Sequence, residues 1–170
     1  DNIFKLPQLG RDVFQRGGIL VVCDHASNHV PDDIDLGIDA RLMSQHIAWD
    51  IGVAGVAGYL VDLSSCAAFL AAHSRLVVDL NRYPEDASAI PTFSDGVDIK
   101  GNHLGVEGRK ERLNSYFHPY HQRLDQLIRE HGPSLILSIH SFTPRLETDP
   151  LAERPWEIGI LYNEQETASA

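Results

Sequence analysis

Leu135-Ile136-Leu137-Ser138-Ile139-His140-Ser141-Phe142 is a short apolar run that delivers a histidine at its end. It has a counterpart far upstream in Gly18-Ile19-Leu20-Val21-Val22-Cys23-Asp24-His25. Strands that are apolar throughout read as central strands of a sheet covered on both faces. Open α/β sheets bind ligands at the carboxyl ends of such strands. Two histidines delivered there can converge on one atom, and the rest of the chain is read outward from that possibility.

Between these runs the pattern alternates. A polar loop of small residues follows the first strand from Asp24 to Pro31, and Asp39 is placed to cap a helix opening near Ala40. Leu42, Ile47, Ile51, Val56 and Leu60 recur at roughly helical intervals, which predicts one long or interrupted helix over 40–62. Residues 66–72 read as a second strand, His73-Ser74-Arg75 as a break, and Leu76-Val77-Val78-Asp79-Leu80 as a third strand ending in Asn81-Arg82. From Tyr83 to about Gly105 there is no period, which suits a lid, a binding loop or a mobile segment. Leu113, Tyr116, Phe117, Tyr120, Leu124, Leu127 and Ile128 then share one helical face, with a kink expected at Pro119 and a stop at Gly132-Pro133. A polar loop with Thr143-Pro144-Arg145 and a last apolar stretch at 157–162 close the chain, and residues 1–17 read as a surface lead-in. The expected fold class is α/β: one three-layer domain over 1–170, with a mostly parallel central sheet between helices.

At 170 residues the chain is long enough to bury a real core, and 43% of it is apolar. No run approaches the roughly 18 apolar residues of a membrane span, and no signal peptide is visible at the start given. A net charge of −10 argues against nucleic acid and against anionic membrane surfaces as partners, but leaves a small-molecule substrate open. Cys23 and Cys66 fit no zinc-finger or redox spacing, so a reducing cytoplasm is expected. Composition does not speak to the oligomeric state.

A catalytic zinc site takes about three nitrogen or oxygen ligands and keeps one position open for water. His25 and His140 are two candidates, and Asp50, an acid in apolar company, is the third; Asp50 equally suits a local cap or ion pair. His46, one helical turn before Asp50, suits either ligation or the orientation of a ligand. Asn81 and Arg82 would turn an amide and a guanidinium fork toward the same crevice, suited to a substrate carboxylate, and Arg75 is weighed likewise. For each arginine the alternative is a surface ion pair. Cys23 and His25 share a strand face at about 6.5–7 Å, too far for a thiolate–imidazole pair. Neither a Gly-x-Ser-x-Gly elbow nor a phosphate-binding glycine loop occurs in the chain. His118, His121 and His131 read as helix-surface or packing residues, and His121, just past the kink, is the one kept in view.

With these residues laid out, the chain resembles the N-formylglutamate amidohydrolase family, whose enzymes are similar in fold to zinc carboxypeptidases. The matching stretches are Cys23-Asp24-His25-Ala26-Ser27-Asn28, His46-Ile47-Ala48-Trp49-Asp50-Ile51-Gly52, Ser74-Arg75 through Asp79-Leu80-Asn81-Arg82, Tyr116-Phe117-His118-Pro119-Tyr120-His121 and Ser138-Ile139-His140-Ser141-Phe142. They keep the family's order across most of 18–145. The resemblance implies a metal-dependent hydrolase of a linear amide, cutting N-formyl-L-glutamate or a similar N-acyl amino acid in histidine breakdown. His25, Asp50 and His140 would then be the zinc ligands, and Asn81-Arg82, with Arg75, the substrate-binding residues. Similar proteins continue past this point with further strands and a catalytic glutamate. This chain offers no counterpart up to Ala170, its last residue. The general base therefore stays unassigned and is expected beyond Ala170, with the C-terminal part of the domain expected to be missing. Two other readings remain at this stage: a non-catalytic relative binding an acidic small molecule or a partner protein, and an exported metal amidase acting on peptidoglycan peptides.

Overall fold

The computed structural model describes residues 18–63, 66–149 and 151–161; the lead-in lies outside them, and so does the stretch from Tyr162 to Ala170. Three parallel strands form the main sheet. The first, β1 (Ile19–Cys23), lies between β2 (Cys66–Leu70) and the last strand, β5 (Leu135–Ser138), in the order β2-β1-β5. Ile19 stands opposite both Cys66 and Leu135, so the three strands start level, and β5 ends one residue short of the other two.

The residues of β1 alternate between two cores, as the pleat requires. Val21 and Cys23 face helix α1 (Val53–Leu63) in a core with Val53, Ala57, Cys66 and Ala68. Leu20 and Val22 face the other way, onto Phe69, Val78, Leu80, Phe117 and Tyr120. Fully burying each of these aliphatic side chains stabilises by about 1.5–3 kcal/mol, which fixes the register of β1. Helices on both faces give the three layers expected. No helix among the described residues is long and apolar enough to cross a membrane.

The second cover is a bent helix. It runs as α2 (Val106–Arg112), a π turn over Leu113–Phe117, and α3 (His118–His131). The expected kink is therefore a π turn placed just before Pro119, where the missing N–H of proline costs least at a helix start. Phe117 and Tyr120 are buried, and Leu113, Tyr116, Leu124, Leu127 and Ile128 pack beside them, the face anticipated from the sequence. Gly132, at φ +54°, ends α3 in the left-handed conformation with its N–H on the Ile128 carbonyl.

Four stretches need a closer description. The helix over 40–62, read as long or interrupted, is the interrupted one: a short 3-10 turn, Ala40–Ser44, capped by Asp39, is followed by turns, and α1 begins only at Val53. Gly52 sits in that break at φ +90°, a conformation that ends helical propagation. The predicted strand at 76–80 is no strand; it is irregular backbone buried at every residue, with Asp79 N–H bonded to the Ala89 carbonyl. An apolar run signals burial, and burial here is supplied by the surrounding loops. Among the described residues β5 lies at the edge of the sheet rather than at its covered centre, with Leu135, Ile136 and Leu137 50%, 46% and 41% exposed. The apolar stretch at 157–161 forms no strand, with Ile158, Ile160 and Leu161 exposed.

The long periodless segment is ordered by short elements. A hairpin of β3 (Phe93–Ser94) and β4 (Val97–Asp98) turns at Asp95-Gly96, both at positive φ. Asn102 is buried and donates its amide to the Leu76 and Pro91 carbonyls. Gly101 passes so close to the backbone of Asp35 that an added Cβ would lie 1.9 Å from its carbonyl oxygen.

Candidate metal centre

Because β1 and β5 are parallel neighbours ending within one residue of each other, the chain leaves both at the same edge. His25 follows β1 by two residues and His140 follows β5 by two, and their ring centroids stand 5.1 Å apart. The third participant comes from the broken helix. Asp50 lies in the turn before α1, where its N–H bonds the His25 carbonyl at 2.9 Å, and its side chain is buried. The sequence reading puts His46 and Asp50 on one helical face; the break separates them. His46 bonds Asp95 at 2.9 Å instead of joining the cluster.

One ligand atom from each of His25, Asp50 and His140 lies within 4.8 Å of the other two. Both imidazoles present Nδ1 to the same oxygen, Asp50 Oδ2, at 3.4 Å for His25 and 2.9 Å for His140. Their opposite nitrogens are engaged elsewhere. His25 Nε2 meets Asp79 Oδ1 at 2.7 Å, and His140 Nε2 meets the Ser138 hydroxyl at 3.1 Å. If Nε2–H of a neutral His25 donates to Asp79, its bare Nδ1 lone pair faces a carboxylate oxygen, which is repulsive unless a proton or a cation lies between. Two imidazoles and a carboxylate, each imidazole held from behind, form a donor set of the kind that binds a divalent cation. The group fits a metal ion on its own chemistry.

The charges point the same way. Burial pushes the Asp50 carboxyl up, but the bonds from His140 and His25 and the charges of His25 and Arg75 outweigh it and hold Asp50 well below its usual range. Burial acts likewise on Asp79, yet His25 and Arg75 hold it down at about 2. Burial alone would lower His25; the bonds to Asp50 and Asp79 reverse this and raise it. Cys23, by contrast, is pushed up to about 12 by burial and by the nearby Asp24 and Asp50 charges, which leaves it a core thiol.

Sequence reasoning missed four contributors. Asp79 orients His25 and is itself bonded by Arg75 Nη2 at 2.7 Å and by the backbone N–H of Asn81 at 3.0 Å. Ser138 backs His140. Tyr120 donates to Asp24 at 2.6 Å, and Asp24 Oδ2 lies 3.9 Å from His140 Nε2. Asp79 sits four residues after Arg75, a spacing that signals a pair only once the expected strand is abandoned.

Arg75, expected at substrate, reaches the cluster directly. Its Nη1 lies 3.4 Å from Asp50 Oδ1, and it remains partly exposed in a cavity of about 360 Å³ shared with Asp50, Trp49 and Phe142. Asn81 and Arg82 are exposed and line a different cavity, of about 680 Å³, with Tyr83 and His121. Asp79, between Arg75 and Asn81, links the two. His121 bonds the Leu80 carbonyl at 3.1 Å, and burial lowers its pKa. The general base expected beyond Ala170 lies outside the described residues, as does Ala170 itself.

The fold and cluster together describe a parallel α/β protein that gathers two imidazoles and an acid at the carboxyl edge of its sheet. A model of the N-formylglutamate amidohydrolase family matches residues 17–170, and the chain belongs to that family. Among solved structures, gene product Atu2144 from Agrobacterium tumefaciens is similar at 37% identity and a TM-score of 0.74, over 80% of this chain. The chain spans 56% of that protein's length. No curated protein matches.

Proposed function

We propose that the protein is a metal-dependent hydrolase of N-formyl-L-glutamate or a similar N-acyl amino acid, with His25, Asp50 and His140 as the metal ligands. The observation that carries this reading is the convergence of those three side chains, at the open edge of the sheet, in a chain of this family. A bound divalent cation, with zinc favoured by the nitrogen-rich donor set, would acidify water and polarise the amide carbonyl.

The chain's own residues supply orientation. Asp79 fixes the tautomer and plane of His25, and Ser138 steadies the ring of His140, leaving both Nδ1 atoms turned inward. Arg75, anchored on Asp79 and Asp50, keeps a guanidinium edge in the adjoining cavity. Asn81 and Arg82 take the α-carboxylate, holding the scissile amide in place. In the reaction, water oxygen adds to the formyl carbon, the C–N bond breaks, and a proton passes to the departing amine. A carboxylate base would carry this proton.

The test uses the full-length protein. It should contain about one metal ion per chain and release formate from N-formyl-L-glutamate faster than from a panel of other N-acyl amino acids. Chelation should stop turnover and zinc restore it. A full complement of metal with no turnover of any member of the panel would leave a binding protein rather than a hydrolase. Arg82→Ala should raise KM far more than it lowers metal content; equal loss of both would make Arg82 structural.

A further inference from the structure

After His140 the chain loops through Ser141–Thr148 and returns beneath that loop at 151–161. Arg154 fastens the return to that loop. Arg154 donates its backbone N–H to the Pro144 carbonyl at 2.7 Å and Nη1 to the Thr143 carbonyl at 2.6 Å, and lies with its guanidinium carbon 5.7 Å from the centre of the Phe142 ring. These contacts hold the side chain where two cavities meet. One, of about 360 Å³, contains Asp50 and Arg75; the other, of about 520 Å³, contains His140.

What sets Arg154 apart is its charge balance. Arg75, in the same cavity, is committed to two carboxylates. Arg154 is half-buried, in a chain of net charge −10, and among the described residues no carboxylate pairs with it. With Nη1 occupied by a backbone carbonyl, its remaining N–H groups are left to serve a ligand. A planar fork pre-oriented on an aromatic ring and a main-chain anchor suits a carboxylate. The cavity is of the size that takes a small ligand.

We propose that Arg154 is a specificity-determining residue that receives the side-chain carboxylate of an acidic N-acyl amino acid. This rests on the hydrolase reading above and deepens it. The α-carboxylate and the side-chain carboxylate then have separate cationic partners, and the enzyme selects dicarboxylates over their neutral analogues. Asp50, Arg75 and Arg154 line one cavity, where the reacting end and the acidic end of one small molecule would meet.

Two measurements on the full-length, metal-loaded protein separate failure of this proposal from failure of the hydrolase reading. In the first, kcat/KM is compared for N-formyl-L-glutamate and N-formyl-L-glutamine. Arg154→Gln should lower the preference for glutamate by roughly 10–100-fold, the scale of one charge-assisted hydrogen bond. Bound metal should not change, the loss on the glutamine compound should be much the smaller of the two, and Arg154→Lys should recover part of the preference. Equal loss on both substrates, or an unchanged preference, overturns the assignment. The second measurement needs no turnover: calorimetry with glutarate and with butyrate. Arg154→Gln should weaken glutarate binding at least about tenfold and leave butyrate unaffected. Equal glutarate binding by both proteins overturns the assignment even where the hydrolase reading has already failed.

Discussion

Asp79 shows how much of the centre depends on a residue one step removed from it. Its carboxylate binds His25 from behind and is itself held by Arg75 and by Asn81 N–H. Asp79→Asn keeps the shape but removes the charge that orients the ring. Metal affinity, measured by competition with a chelator, should fall roughly 10–100-fold, and an unchanged affinity would mean that Asp79 serves the fold alone. The same pair predicts a pH dependence. His25 has a raised pKa in the metal-free protein, so its imidazolium contributes stability that is full below 6.5 and is lost as pH rises through the raised value. A metal ion must displace that proton. Apparent affinity should therefore climb with pH above 6.5, by up to about tenfold per unit, and level off once His25 is neutral. Asp79 behaves oppositely: its contribution is present above its ordinary value of 3.8 and disappears as pH falls through about 2. An affinity that is flat or falls between pH 6 and 8 would contradict this account.

Among the elements, the ones the sequence announces correctly carry a strong period or a hard stop. The helix face from Leu113 to Ile128 repeats at helical spacing, and Gly132 ends it, so both are legible. β1 and β2 are apolar runs of strand length that really are buried. Residues 76–80 look identical by that criterion, and they are equally buried. Periodicity reports burial there; what it cannot report is that Ala89, and not a neighbouring strand, receives the Asp79 N–H. The break at Gly52 is visible in the sequence only as lowered regularity, yet it decides where Asp50 goes. His25 and His140 could be paired from sequence because strand ends are predictable. Asp79 and Ser138 could not, because their partners are set by side-chain direction across three separate segments. The loop over 83–105 adds a prediction of its own. Gly101 approaches the Asp35 backbone too closely for any side chain, and its N–H bonds the Leu36 carbonyl at 2.9 Å. Gly101→Ala must push the two loops apart, costing about 1–3 kcal/mol in denaturant unfolding; a neutral result would mean that the loops slide freely.

For the molecule as a whole, the sheet is the shared reference for both cores and for the centre at its edge. β1 is the strand that touches everything: α1 on one face, α3 on the other, β2 and β5 at its sides. Cys23 ends that strand with no exposed surface, and Cys66 lies opposite its start on β2, also buried. Only thiolate reacts with alkylating reagents, and a thiol held at about 12 is ionised at pH 8 to about one part in ten thousand. In the native protein Cys23 should stay unmodified by iodoacetamide for as long as β1 stays paired, and its labelling should keep pace with global unfolding across a denaturant series. Prompt labelling under native conditions would show that the middle of the sheet opens locally. The sulfur at the heart of the fold thus gives a built-in clock for its opening, one that ticks only when water reaches the innermost strand.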